Sequence, residues 1–316
     1  MKICTIIPCY KSPEKAPAIA KECLKYSDLV ICVDDCCPLQ SGKKIEEFVK
    51  SEKLIVIRHK FNKGVGGAMK TGIKFALDKE VDIVVKIDSD GQMPPNLIPR
   101  LIEPIIDGNA EVTKGNRFRD PGVLIKMPKI RLIGNIGLGF LTKLSTGYWE
   151  LFDPTNGFIA IKKNIFFNLP INKLDNRYFF ETDFLFRCSL NEIVIHEMPM
   201  KTVYADEVSN LYPLKELPIF LLKHLKIFMK RIFYHYFILD FNPGSISLII
   251  SILFGVFALF LASSNYISTT IYGGQTPVGI QTLFLVLSII ATQFFINFIY
   301  YDASQRPLFR KLRTIK

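Results

Sequence analysis

A chain of 316 residues that is 49% hydrophobic, with a net charge of +11, has a mean hydropathy of +0.24 that is high for a soluble protein. Its basic clusters lie beside apolar runs, which fits an anionic membrane surface and argues against nucleic acid as the partner. Its seven cysteines form no Cys-x-x-Cys pair, and the adjacent Cys36 and Cys37 do not suit a structural bridge, so reduced cytosolic thiols are expected.

The first 110 residues alternate strand and helix signals, as a βαβ series does. Lys2–Pro8 reads as a strand, Pro13–Tyr26 as a helix, and Asp28–Asp34 as a strand running into Asp34-Asp35. Ser41–Ser51 follows as a helix and Leu54–Arg58 as a third strand. Met1–Tyr10 is too short an apolar stretch for a signal peptide and runs straight into strand-like sequence.

The loop Asn62-Lys63-Gly64-Val65-Gly66-Gly67 precedes a helix expected over Ala68–Leu77. It nearly completes an ATPase phosphate loop, but Met69 stands where a glycine must precede Lys70. Its backbone amides at a helix start, with Lys63 and Lys70 nearby, still favour an anion, although a plain tight turn accounts for it equally well.

The β-branched run Val81–Ile87 then ends in Asp88-Ser89-Asp90-Gly91-Gln92. Two carboxylates one residue apart at the carboxyl end of a strand repel unless a cation lies between them. Open α/β sheets place ligands at such strand ends, and hard oxygen ligands suit Mg²⁺ or Mn²⁺ carrying a diphosphate. Three acid or glycine features each follow a strand, so they should meet on one edge of a mostly parallel sheet.

Further along, Pro94–Asp107 reads as helix and Ala110–Gly115 as strand, with Arg117 just beyond. Arg131–Thr146 reads as an apolar helix, and Arg117, Lys126, Lys129 and Arg131 suit a lipid phosphate, although a solvated basic loop accounts for them equally well. Asp153–Gly157 is turn chemistry before a strand over Phe158–Lys162. Tyr178–Ser189 is expected to be a helix on which only one of Glu181 and Asp183 points into the crevice. Val194–Met198 is a final strand, running into Lys201.

Leu214–Phe237 alternates lysines with apolar residues at helical spacing, as a helix lying in the headgroup region does. From Phe241 to Tyr301 there is no charged residue at all. A bilayer core of about 30 Å needs roughly 20 helical residues, so Ile246–Ala262 and Val278–Tyr300 read as two spans joined by Ser263–Pro277. Lys223, Lys226, Lys230 and Arg231 precede the first span, and Arg306, Arg310, Lys311, Arg313 and Lys316 follow the second. By the positive-inside rule both termini should then face the cytoplasm. The expected organisation is a catalytic domain over 1–212, juxtamembrane helices over 213–241, a membrane hairpin over 242–301 and a basic tail over 302–316.

Several of these motifs occur together in one order: Ile6-Ile7-Pro8-Cys9-Tyr10, Val33-Asp34-Asp35, the Asn62–Gly72 loop and Asp88-x-Asp90-x-Gln92. Gly115-Asn116-Arg117, Asp153–Gly157 and Phe180-Glu181-Thr182-Asp183 continue the series. Across residues 1–235 the chain resembles a family 2 glycosyltransferase of the polyprenyl-phosphate type.

The resemblance implies a GT-A-type, Rossmann-like α/β domain with a mostly parallel sheet, followed by an amphipathic interfacial helix and two transmembrane helices. It implies metal-dependent, inverting transfer from a UDP- or GDP-linked sugar to a polyprenyl phosphate at the cytoplasmic face of the membrane. On that resemblance Pro8, Tyr10, Asp34, Asp35, Asn62, Gly64, Lys70 and Asp88 would bind the nucleotide sugar. Asp88, Asp90 and Gln92 would hold Mg²⁺ or Mn²⁺. Asp90, Asp153 and Asp183 would sit at the reacting centre, and Arg117, Arg131, Asn135 and Lys201 would take the acceptor phosphate. Cys36-Cys37 departs from the family's Gly-Ser after Asp35. A lone tryptophan, Trp149, outside any Gln-x-x-Arg-Trp motif argues against a processive synthase. The competing reading from another class is an inactive sugar-nucleotide and lipid-binding scaffold that partners a flippase. A homo-oligomer is compatible with either.

Overall fold

The computed structural model describes residues 1–118, 129–200, 213–271, 273–275 and 277–305, and the side chains of 129–131 and 213–216 are outside that description. The chain divides into two compact units, one within Met1–Phe228 and one within Met229–Leu308.

The first unit is built on seven strands: β1 (Ile3–Cys9), β2 (Leu29–Asp34), β3 (Leu54–Arg58), β4 (Ile83–Lys86), β5 (Val112–Asn116), β6 (Ile159–Lys162) and β7 (Ile195–Pro199). Their order is β3-β2-β1-β4-β6-β5-β7. β1, β2, β3 and β4 run parallel, β6 lies antiparallel to both its neighbours, and β5 pairs parallel with β7. Every residue of β2 and β4 is buried, as expected for strands covered on both faces.

Helices α1 (Ala16–Cys23), α2 (Ser41–Phe48) and α4 (Ile98–Ile106) supply Ile19, Ile45, Leu101 and Ile105 to one face. The other face is covered by α3 (Val65–Asp78) and, after α5 (Lys129–Thr146) and the one-turn α6 (Ile165–Asn168), by α7 (Phe180–Leu190). Phe180 and Phe184 of α7 are almost fully buried there. At about 1.5–3 kcal/mol each they fix the helix that carries Glu181.

The chain passes from β1 to β2 and β3 on one side, and from β4 to the remaining strands on the other. The crevice beyond β1 and β4 is thus the switch point of the sheet, where ligands bind in open α/β folds.

The helix α3 starts earlier than its glycine-rich sequence suggests. Gly66 and Gly67 form its first turn, and the Gly67 amide donates to the Asn176 carbonyl at 2.9 Å. A side chain at Gly66 would collide with the Asp175 backbone, so the glycines serve close packing against the 172–178 segment. Lys70, expected to face an anion, is also committed to that segment, its Nζ donating to the Leu174 carbonyl at 2.7 Å.

α8 (Pro213–Phe233) begins in the first unit with Leu217, Leu221, Leu222 and Leu225 exposed. Lys223 does not join the outward-facing lysines; it pairs with Asp175 and lies over the Phe179 ring. His224 is buried against Phe179 and bonds Ser145 of α5 at 2.8 Å, and burial pulls its pKa down to about 4.

In the second unit, α8 ends in a π-helical stretch, Tyr234–Leu239, that the sequence pattern does not signal. Two helices follow, α9 (Pro243–Thr270) and α10 (Val278–Ser304), both long and apolar enough to cross a membrane. Asn242 opens α9 with a capping box shared with Ser245. The expected loop from Ser263 is instead helix as far as Thr270. Ser263, Thr269 and Thr270 each donate to a carbonyl one turn back, at 2.9, 2.9 and 2.6 Å, so these polar residues are satisfied within the helix. Arg231 holds Asp302 in a fork at 2.7 and 2.9 Å, with the Tyr236 hydroxyl at 2.7 Å.

Lys126 and Lys201, the 302–316 tail beyond Gln305, and the side chains of Lys129 and Arg131 lie outside the described residues.

Candidate active site

A cleft of about 290 Å³ opens at the switch point. Of the residues expected from sequence, Pro8, Tyr10, Asp35, Asn62, Gly64, Asp88 and Asp90 line it; Arg177 and Tyr178 join them unforeseen. They come from the segment that receives Lys70, Gly67 and Asp183, and no local pattern marks them.

Asp35 and Asp34 share a strand end but not a role. Asp35 accepts the amides of Lys63 at 2.8 Å and Gly64 at 2.7 Å, and His59 Nδ1 lies 2.7 Å from its carboxylate. Gly64 reaches this contact with φ at +84°, a conformation that favours glycine. Asp35 therefore moulds the glycine loop while facing the cleft. Asp34 does not line it: its carboxylate accepts the amides of Cys37 at 2.7 Å and Gly42 at 2.6 Å, closing the turn into α2.

The first acid of the Asp-x-Asp pair meets a cation supplied by its own strand. Lys86, wholly enclosed, places Nζ 2.5 Å from Asp88 and 3.1 Å from Glu181. Burial alone would lower the Lys86 pKa, but the two carboxylates outweigh it and raise it above the usual lysine value. Gly157 completes the arrangement, because a Cβ there would collide with the ammonium and with the Asp88 carboxylate. Of the two acids on α7, Glu181 is thus the one that meets Lys86 beneath Asp88. Asp183, expected at the reacting centre, turns the other way: it accepts the Asp175 amide at 2.9 Å and pairs with Arg187. Its pKa is raised by burial, against the pull of Arg187.

A second group lies beyond β5. Asp153 is fully buried and accepts Arg117 Nε at 2.7 Å, Nη2 at 2.8 Å and the backbone amide at 3.0 Å. Glu197 of β7 accepts the Asp153 amide at 2.8 Å and the Asn116 side chain at 2.7 Å, and burial raises its pKa. Asp153 is therefore the counter-ion that aims the guanidinium, a bidentate pairing only arginine can make. Asn135 is half-buried on α5.

Lys114 of β5 is fully enclosed and donates to the Asn156 carbonyl at 2.6 Å. Burial pulls its pKa down to about 8, with Glu181, Asp153 and Glu197 opposing. An unfolded lysine keeps its proton to about 10.4. Between these values the unfolded chain binds more protons, so Lys114's contribution to stability should rise with pH across that window. The melting temperature of the wild type minus that of Lys114→Met, measured from pH 7 to 10, should increase; a flat difference contradicts the assignment.

The donor set suits a hard divalent cation. Asp88 and Asp90 line the cleft from one loop, and Lys86 already occupies a position where positive charge is stabilised. Asp90 also accepts the Gln92 amide at 3.0 Å, which holds the loop in shape.

A mostly parallel sheet with paired acids at its switch point and a lined cleft defines a GT-A-type fold. The family model for glycosyl transferase family 2 matches residues 4–169, and the chain belongs to that family. It is similar to the UDP-N-acetylglucosamine–dolichyl-phosphate N-acetylglucosaminyltransferase of Methanococcus voltae, at 33% identity over 64% of this chain and 85% of the relative. It is also similar to the undecaprenyl-phosphate mannosyltransferase of Micrococcus luteus, at 26% identity over 64% of this chain and 84% of that protein. Among solved structures, glucosyl-3-phosphoglycerate synthase from Mycobacterium tuberculosis, crystallised with Mn²⁺, UDP and glucosyl-3-phosphoglycerate, matches with a TM-score of 0.55. That match has 16% identity, covers 73% of this chain and 79% of the other, and supports the fold alone.

Proposed function

We propose that this glycosyltransferase moves a sugar, N-acetylglucosamine first among the candidates, from its UDP-linked form to a polyprenyl phosphate at the cytoplasmic membrane face. The observation that carries the reading is the meeting of Asp88, Asp90 and Asp35 around one cleft at the switch point. The Methanococcus voltae relative supports the donor, and both named relatives support a polyprenyl-phosphate acceptor.

Pro8, Tyr10, Asp35 and Asn62 would take the nucleoside. Asp88, Asp90 and Gln92 would hold Mg²⁺ or Mn²⁺, which supplies neutralising charge to the departing diphosphate. The acceptor is a phosphate monoester with a second pKa near ~6, so it is largely dianionic at neutral pH and dispenses with a strong general base. Arg117, aimed by Asp153 and Glu197, would orient it, with Arg131, Asn135 and Lys201 assigned to the same phosphate from sequence. In-line attack on the anomeric carbon inverts its configuration.

The membrane reading is supported by α9 and α10 and by outward apolar side chains on the catalytic unit: Ile133, Ile136 and Phe140 on α5, and Leu222 and Leu225 on α8. Such faces suit the headgroup boundary. The lysine and arginine bias around the spans supports a cytoplasmic catalytic domain.

Purified protein offered undecaprenyl phosphate with UDP-N-acetylglucosamine, UDP-glucose or GDP-mannose should form most glycolipid, by mass spectrometry, with the first. Preference for GDP-mannose overturns the donor assignment, and no product with any of them overturns the activity.

A further inference from the structure

We infer that Lys86 is a resident cation that fills the charge position of the donor-site metal, so that a divalent ion binds only together with the donor's diphosphate. The inference rests on the donor-site reading above. The ammonium touches both the first acid of the metal-binding pair, at 2.5 Å, and Glu181, at 3.1 Å. Its side chain is 2% exposed, against 31% for Asp88, so the lysine lies beneath the carboxylate while the carboxylate opens to the cleft.

Three separate motifs converge on this contact. The Asp-x-Asp loop supplies Asp88, the start of α7 supplies Glu181, and the turn before β6 supplies Gly157, whose missing side chain leaves room for Nζ. A buried lysine is costly unless paired, and two adjacent carboxylates are costly unless a cation separates them. Each requirement meets the other here.

Charge sets the order of binding. A divalent ion approaching the cleft without the donor finds Asp88 already paired with an ammonium, whose charge weakens the pull of that carboxylate. A diphosphate dianion and a divalent cation arriving together cancel one another, and the Lys86 pairing is left undisturbed. Among the described residues, no three His, Cys, Asp or Glu side chains are grouped to hold a metal ion, so diphosphate oxygens would complete the shell.

The test is Mn²⁺ binding to the full-length protein in detergent, followed by electron paramagnetic resonance with and without UDP. Wild type should bind Mn²⁺ weakly alone and at least about tenfold more tightly with UDP. Lys86→Met should bind Mn²⁺ without UDP at least about tenfold more tightly than wild type does, because Asp88 and Glu181 are released. Lys86→Met/Glu181→Gln removes one charge of each sign, which protects folding, and should show the same gain of UDP-independent binding. A simply structural lysine would lower stability and leave that affinity unmoved. The inference is overturned if the folded variants bind Mn²⁺ alone no better than wild type, or if wild type binds it equally with and without UDP. If wild type binds neither UDP nor Mn²⁺ under any condition, the donor-site reading itself falls, and the inference with it.

Discussion

Asp90→Asn should lose at least about 100-fold in sugar-transfer turnover while keeping its fold, since a metal acting as a Lewis acid supplies several kcal/mol of transition-state stabilisation. Asp90 is the acid of the pair that does not rest on Lys86. Its carboxylate accepts the Gln92 amide at 3.0 Å, a bond that an asparagine carbonyl can also accept. That bond should survive the exchange while the carboxylate's negative charge is lost. Turnover measured beside the melting temperature separates the effects: near-wild-type turnover contradicts the metal assignment, and a large fall in melting temperature reassigns Asp90 to structure.

Arg117→Ala is expected to have the largest effect on stability. It strips a fully buried Asp153 of the Nε and Nη2 donors at 2.7 and 2.8 Å, leaving a buried carboxylate without its bidentate partner. Removing one member of a buried pair costs about 3–5 kcal/mol, mostly from the stranded charge. Asp153→Ala in the same chain should recover part of that loss, because the two residues are coupled. Arg117→Lys should also fail to restore turnover, since an ammonium cannot grip both oxygens. The check is thermal unfolding in detergent for the two single variants and the double variant. Additive losses would show that the pair contributes no coupling.

The parallel core is legible because its strands are β-branched runs that end in chemistry. Ile83-Val84-Val85 leads to Asp88, and Leu29–Val33 leads to Asp34 and Asp35. Burial on both faces leaves that composition little else to do. The antiparallel insertion of β6 between β4 and β5 is not legible, because strand order depends on long-range pairing that no local spacing records.

Lys86 does leave a signal, a lysine that closes the apolar strand Ile83–Val85, but its meaning needs the acids that surround it in space. Glu181 and Asp183 lie on nearly opposite sides of one helix turn, so the motif does not say which meets Lys86; the packing of Phe180 and Phe184 decides it. Asp34 and Lys70 carry the right chemistry in the right order, yet backbone groups that only the folded chain brings near take up their side chains. Glu197 belongs to the last strand, remote in sequence from the Asp153 amide it receives. The polar end of α9 reads as a loop because serine and threonine favour turns, yet they also satisfy themselves on a helix.

Glycolipid formation by the purified protein, with an undecaprenyl phosphate acceptor and UDP-N-acetylglucosamine, should be measured before EDTA, after it, and after Mn²⁺ is restored. Product should form, cease with the chelator and return with the metal. Formation that continues unchanged in EDTA would contradict an acidic cleft that works by holding a cation against the donor's diphosphate.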